Sequence, residues 1–336
     1  MNKFIYNIIL FFIPIILLVV AFIQLDPFKV LNEYESYYED NLVALNREFV
    51  CLKTYNKYRE QEKFNSFIFG SSRSQAYKCE QWKKYLAPAD NQFHFDAGGE
   101  GVYGVRNKVK YIDSIGDKIE NALIIVDREF LVRTKNRSGH IFISPPEFTK
   151  TSKTAYYMVF INASLNLRFM IAYLDYKMFG SYRPYMADLI IKPNYKARAN
   201  DVNCDFWYNR DEHIQKDSLG YYKQLIDQGV FYDRASNKKR DMCDVTELER
   251  KQLKEIKEVF SHHNTNYKII ISPLYDQIPL EKDQVELLEE IFGAQNVYNF
   301  SGKNDLTEPI INYYEASHYK PFVANMILSK IYREEN

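Results

Sequence analysis

The sequence has little of what marks several large protein classes. It carries 44 Lys+Arg against 44 Asp+Glu and no basic run, so no positive field exists to hold a nucleic-acid backbone, and no nucleic-acid partner is expected. The four cysteines, Cys51, Cys79, Cys204 and Cys243, are widely spaced with no CxxC. His262 and His263 are adjacent, not one helical turn apart, so neither a metal nor another cofactor is expected. No internal repeat or low-complexity tract interrupts the chain. What is present is a chain of 336 residues, 46% hydrophobic, enough to bury a substantial core in one or two domains. Its 28 tyrosines and 23 phenylalanines suit an aromatic-lined cleft, and equally a general bias in composition.

Phe4 to Gln24, FIYNIILFFIPIILLVVAFIQ, contains no charge. At 1.5 Å per residue a helix of that length crosses a hydrocarbon layer of roughly 30 Å. Lys3 lies before it, while Asp26, Glu33, Glu35, Glu39 and Asp40 follow, so the positive-inside bias predicts a cytoplasmic N-terminus and an extracytoplasmic remainder. The run ends in VVAFIQLDPF without a small-x-small cleavage site, which predicts an uncleaved anchor over residues 1–26 of a single-pass membrane protein. Outside the cytoplasm an even number of cysteines permits disulfides; buried free thiols are the alternative.

Residues 27–64 read as a polar, tyrosine-rich connector, helical from about Asn32 to Phe64. From residue 65 short apolar runs recur between charged, helix-compatible stretches: SFIFG at 66–70, QFHFDA at 92–97, ALIIVD at 122–127, YKIIISP at 267–273 and NVYNF at 296–300. Helices are predicted at 246–260 and 281–292, each with one apolar face. The alternation predicts an α/β fold with a parallel sheet and crossover helices. An interval at about 131–245 breaks it. Its apolar stretch at 156–179 carries Asn162, Asn166, Arg168, Asp175 and Lys177, which argues against a second span. A helical insertion over the sheet is expected there, with a surface facing membrane or partner as the alternative.

Parallel sheets place ligands beyond the carboxyl ends of their strands, and SFIFG runs directly into Ser71-Ser72-Arg73-Ser74. A helix beginning at about Arg73 would put Ser72 at its positive end; capping alone would also explain serines there. A nucleophilic serine needs a base. NYYEASHYKP at 312–321 offers one: Glu315, three residues before His318, can hold its Nδ1–H and leave Nε2 for the serine. His94, on a strand, His140 and His213, in the insertion, and His262 and His263, at a helix end, have no comparable setting.

These blocks, in this order, resemble the SGNH (GDSL) hydrolases. Gly70-Ser71-Ser72-Arg73-Ser74 is similar to the family's GDSxS, with serine in the aspartate position, and Glu315-Ala316-Ser317-His318 to its DxxH, with glutamate for aspartate. The resemblance covers Ser66 to Ile331 apart from the insertion. It implies a flavodoxin-like three-layer sandwich on a five-stranded parallel sheet at 65–336, with catalytic Ser72, His318 and Glu315. The oxyanion hole would come from Ser72, Gly98 of DAGGEGVYG at 96–104, and Asp127, where the family places an asparagine. An ionised aspartate donates no hydrogen bond, so positioning Arg73 or the substrate is the other role for Asp127. Arg73 would line the substrate; PLYDQ at 273–277 follows the fourth predicted strand, which places Tyr275 and Asp276 at the cleft, a proline-led turn without function being the alternative. A GxSxG α/β-hydrolase elbow does not fit, because Ser74 replaces its second glycine.

With the anchor, the chain resembles the D-alanyl transfer and alginate O-acetyltransferase groups. That implies acyl transfer onto a cell-surface glycan beside a multi-span membrane-bound O-acyltransferase. A plain carbohydrate esterase, or a catalytically silent tethered binding or assembly protein on the same fold, are the alternatives.

Overall fold

A computed structural model of the protein describes residues 2–193, 195–234 and 245–333. Five strands form one parallel sheet: β1 (Ser66–Gly70), β2 (Gln92–Asp96), β3 (Asn121–Val126), β6 (Asn266–Ile271) and β7 (Val297–Asn299), in the order β2-β1-β3-β6-β7. The three central strands have nearly every residue buried, as both-faced strands must, which is why their sequences read as unbroken apolar runs. Phe67, Phe69, Ile124 and Ile269 face a core shared with helices α2 (Arg47–Glu62), α4 (Val102–Ser114), α11 (Glu247–His263) and α12 (Lys282–Phe292). Ile68, Leu123, Ile125 and Ile270 point the other way, toward Trp82 of α3 (Cys79–Lys83) and Val323, Ile327 and Leu328 of α13 (Pro321–Arg333). All five predicted strands and both predicted helices are present to within a few residues.

The connector differs from expectation. Only α2 is helical; residues 27–46 are irregular. Asp26 ends the apolar helix α1 (Asn2–Leu25), and its carboxylate accepts the backbone N–H groups of Val30, Leu31 and Asn32 and the Tyr34 hydroxyl. A side chain that satisfies these amides locally removes the incentive to form helix. Asn46 then caps α2 by accepting from Phe49 N–H.

Between α5 (Arg128–Val132) and α11 the described residues form five α-helices: α6 (Pro146–Thr149), α7 (Lys153–Ser164), α8 (Leu167–Phe179), α9 (Arg210–Lys216) and α10 (Ser218–Asp227). An antiparallel hairpin of β4 (Ala197–Ala199) and β5 (Phe206–Tyr208) lies among them. The apolar stretch at 156–179 does not pack over the sheet as expected. It breaks at Leu165-Asn166, where Asn166 caps α8, and the two helices join a separate core with Phe22, Phe28, Val30, Phe49 and Val50. Another part of the interval covers the sheet edge: the Asn203 carbonyl accepts the His94 N–H of edge strand β2. Cys51, Cys79 and Cys204 are buried free thiols, and Cys243 lies outside the described residues.

Candidate active site

The carboxyl ends of β1, β2 and β3 run into Ser71, Ala97 and Asp127, so chemistry-bearing side chains gather at one end of the sheet. Gly70 makes the turn out of β1 with φ +146°, and a Cβ there would sit 2.9 Å from the Ile125 carbonyl oxygen, so no other residue fits without movement. Ser72 opens a single 3-10 turn, Ser72–Ala76, capped by Ser71. The expected α-helix is not formed; a turn this short supplies little dipole.

From the far end of the chain a hairpin of β8 (Tyr313–Glu315) and β9 (His318–Tyr319) brings in the base and acid. Glu315 and His318 face each other across a two-residue turn, so cross-strand pairing, not helical spacing, sets their contact. His318 Nε2 lies 2.8 Å from Ser72 Oγ, and His318 Nδ1 is hydrogen-bonded to Glu315 Oε1. Glu315 also accepts from Ser317 N–H at 2.7 Å and from Arg210 Nη1 at 3.2 Å. Burial alone would raise its pKa, but the His318 hydrogen bond and charge, with Ser317 N–H and Arg210, outweigh it and hold the carboxyl at about 2. It is therefore ionised and able to fix the tautomer that leaves Nε2 as acceptor.

The cleft that Ser72 and His318 line has further walls in Gln75, Lys78, Trp207, Tyr208, Arg210 and Asp211, and is narrow, with a cavity volume of about 50 Å³. Lys78 Nζ stands 4.9 Å from the centre of the Trp207 ring and donates to the Gln75 carbonyl at 2.6 Å; burial lowers its pKa to about 8. Arg210 stacks 4.8 Å from the Tyr208 ring.

Other expected site residues sit elsewhere. Asp127 Oδ1 accepts Glu129 N–H and Phe130 N–H, and Oδ2 accepts Arg73 Nη1 at 2.5 Å and the Ser71 hydroxyl at 3.4 Å. Both oxygens are acceptors, so Asp127 gives an oxyanion nothing; it caps α5 and holds Arg73. Arg73 does not line the cleft: its Nε donates to the Ser317 carbonyl at 3.2 Å, which ties the end of β3 to the loop before His318. Gly98 lines a neighbouring recess with Arg133 and Arg137, and Arg137 Nη1 donates to its carbonyl at 3.2 Å. Tyr275 is a core residue, its hydroxyl bonded to the Tyr232 carbonyl, and Asp276 pairs with Arg128.

His94 has the setting that its sequence context concealed. Its Nε2 lies 3.0 Å from Ser74 Oγ and its Nδ1 3.0 Å from Asp205 Oδ1, while Ser74 Oγ donates to the Ser71 carbonyl at 2.8 Å. Asp205 also accepts Cys79 N–H. Asp205 and the aromatic triplet Phe206-Trp207-Tyr208 lie in the interval whose role the motifs left open; three adjacent aromatics in a polar stretch are the one signal that pointed there.

Among the described residues Asp113, His262 and His263 converge closely enough to resemble a metal site. His263 Nδ1 accepts Ile119 N–H at 2.9 Å, which puts the neutral ring's proton on Nε2, facing Asp113 at 2.8 Å. That nitrogen has no lone pair to give a metal.

No family model matches the chain, and no curated protein matches it.

Proposed function

We propose that the protein is a membrane-tethered serine acyl-transfer enzyme of the SGNH type, working on a cell-surface polysaccharide through an acyl-enzyme at Ser72. The observation that carries this is the unbroken line Glu315–His318–Ser72, with 2.8 Å between imidazole and hydroxyl. Neutral His318 takes the Ser72 proton as Oγ attacks the acyl carbonyl, and ionised Glu315 stabilises the imidazolium that results. The imidazolium then protonates the leaving group. In the second half-reaction it takes a proton from water or a sugar hydroxyl that attacks the acyl-enzyme. The backbone N–H of Ser72 is the proposed oxyanion donor, worth roughly 3 kcal/mol in comparable sites.

Support for the fold assignment comes from the strand order, which is the doubly wound order of flavodoxin-like sheets with the switch point between β1 and β3, where Ser72 stands. Support for a sugar acceptor comes from the cleft rim: Trp207 and Tyr208 offer faces for the apolar side of a pyranose, between Gln75, Lys78, Arg210 and Asp211 for its hydroxyls. The apolar α1, long enough to cross a membrane, supports a tether; the catalytic unit outside the cytoplasm and a multi-span acyl donor protein beside it are part of the proposal.

The test uses the full chain in detergent with an activated acetyl ester. Acetate release that vanishes in Ser72→Ala upholds the reading; equal rates in both overturn it and favour a silent binding protein. Adding glycan and finding acetylated sugar identifies a transferase, whereas free acetate alone identifies an esterase.

A further inference from the structure

Helices α7 and α8 are apolar on more than the face they bury. Phe169, Met170, Ala172 and Tyr173 of α8 pack inward, yet Leu167, Ile171 and Met178, which recur along its opposite side, are 63%, 51% and 68% exposed, and Phe179 is 64% exposed. A second apolar stripe on the water-facing side of a helix is missing something that covers it.

The place of these helices identifies the cover. Phe22, near the end of α1, is 1% exposed and buried in the same core as Phe160 of α7 and Phe169 of α8, whereas most of α1 before it is bare. Phe22 lies eighteen residues beyond Phe4, about 27 Å along a helix axis. A bilayer's hydrocarbon core is roughly 30 Å thick. If Phe4 marks one boundary of that core, Phe22 and the helices that bury it sit at the other. Helices α7 and α8 meet at 72°, so they do not pass through as one straight rod. The exposed cations Arg168 and Lys177 flank the apolar stripe of α8, as snorkelling residues do at a headgroup layer.

We infer that the α7–α8 elbow is a monotopic membrane element: the stripe Leu167–Ile171–Met178 lies in the acyl-chain boundary of the leaflet where α1 emerges, with Arg168 and Lys177 among anionic headgroups. The bilayer is the occupant because Phe22 buries the end of the bare helix α1 in the same core as α7 and α8, which sets them at the depth where the span ends. This holds the enzyme at a fixed height and tilt instead of on a swinging tether, and it does not depend on the acyl-transfer reading.

Site-directed spin labelling of the full chain in vesicles of phosphatidylcholine with phosphatidylglycerol tests it. Ile171→Cys and Met178→Cys carry the label in a Cys243→Ser background, the other three thiols being buried; Lys282→Cys on α12 is the aqueous control. The ratio of relaxation by lipid-soluble oxygen to that by a water-soluble nickel chelate is expected to be roughly fivefold or more higher at 171 and 178 than at 282. Ratios equal to that at 282 overturn the inference. So does exclusion of both reagents at 171 and 178, which would mark a protein partner or a second copy as the cover.

Discussion

Two serine–histidine–carboxylate sets hang on the same five-residue turn, and their difference teaches what a triad needs. Ser72–His318–Glu315 and Ser74–His94–Asp205 have nearly the same serine–histidine distance, 2.8 and 3.0 Å. The first opens on the cleft; in the second, Ser74 and His94 are 0% exposed and Asp205 3%, so no substrate reaches them. The serine–histidine distance is common to both; access, and the donation of the Ser74 proton to the Ser71 carbonyl, separate a reaction centre from a brace. The buried set serves the open one: Ser74 grips the Ser71 carbonyl, one residue before the nucleophile, and Asp205 reaches in from the long interval to complete it.

The contrast breaks most visibly at Ser72. Ser72→Ala, or His318→Ala, is expected to lower acetate release by about 10³-fold or more with an unchanged circular dichroism spectrum. The next effect concerns the acid of the open set. Glu315 has a folded pKa of about 2, below its usual 4.5, so it adds stability above pH 4.5 that is lost as pH falls through 2. In urea titrations between those limits Glu315 should account for a loss of up to roughly 3 kcal/mol. Glu315→Gln should remove that share and leave the slope due to Asp96, whose carboxyl is buried yet held at about 2 by the Arg47 charge; a parent and a variant curve of equal slope would remove the ionised-acid assignment.

Ser74→Ala leaves His94 Nε2 without its partner, which should cost about 1–3 kcal/mol in unfolding. It should also cut kcat roughly tenfold to a hundredfold while KM for a small ester stays put, because the loosened turn misplaces Ser72 without touching the binding walls. A Ser74→Ala protein as inactive as Ser72→Ala would mean the buried set joins the chemistry. The smallest expected effect is none: prolonged chelator treatment should leave ester turnover unchanged, since His263 Nε2 is occupied by its own proton.

The open set was legible because each half is contiguous: strand, glycine and serine at 66–72, and the four residues from Glu315 to His318. The apolar runs of the sheet were legible for the same reason, since burial on both faces leaves no polar interruption. The buried set was not. Its members lie at 74, 94 and 205, no spacing links them, and a histidine inside a strand looks like any other core residue until Asp205 is folded against it. The irregular path of 27–46 was hidden because one aspartate, Asp26, captures several backbone amides at once, an effect that residue propensities do not carry. The break of 156–179 into two helices rested on Asn166 acting as a cap, not as a polar residue within one long helix.

Asp205 has a last consequence for anyone wishing to trim this protein to a minimal catalyst. Excising residues 131–245 would keep every recognisable motif, yet it would strip the His94 imidazole of its counterpart, bare the outer edge of β2 and remove the ceiling over Lys78. The shortened chain is expected to fold poorly, or to hold its nucleophile loosely: the dispensable-looking middle is the keystone of the turn it interrupts.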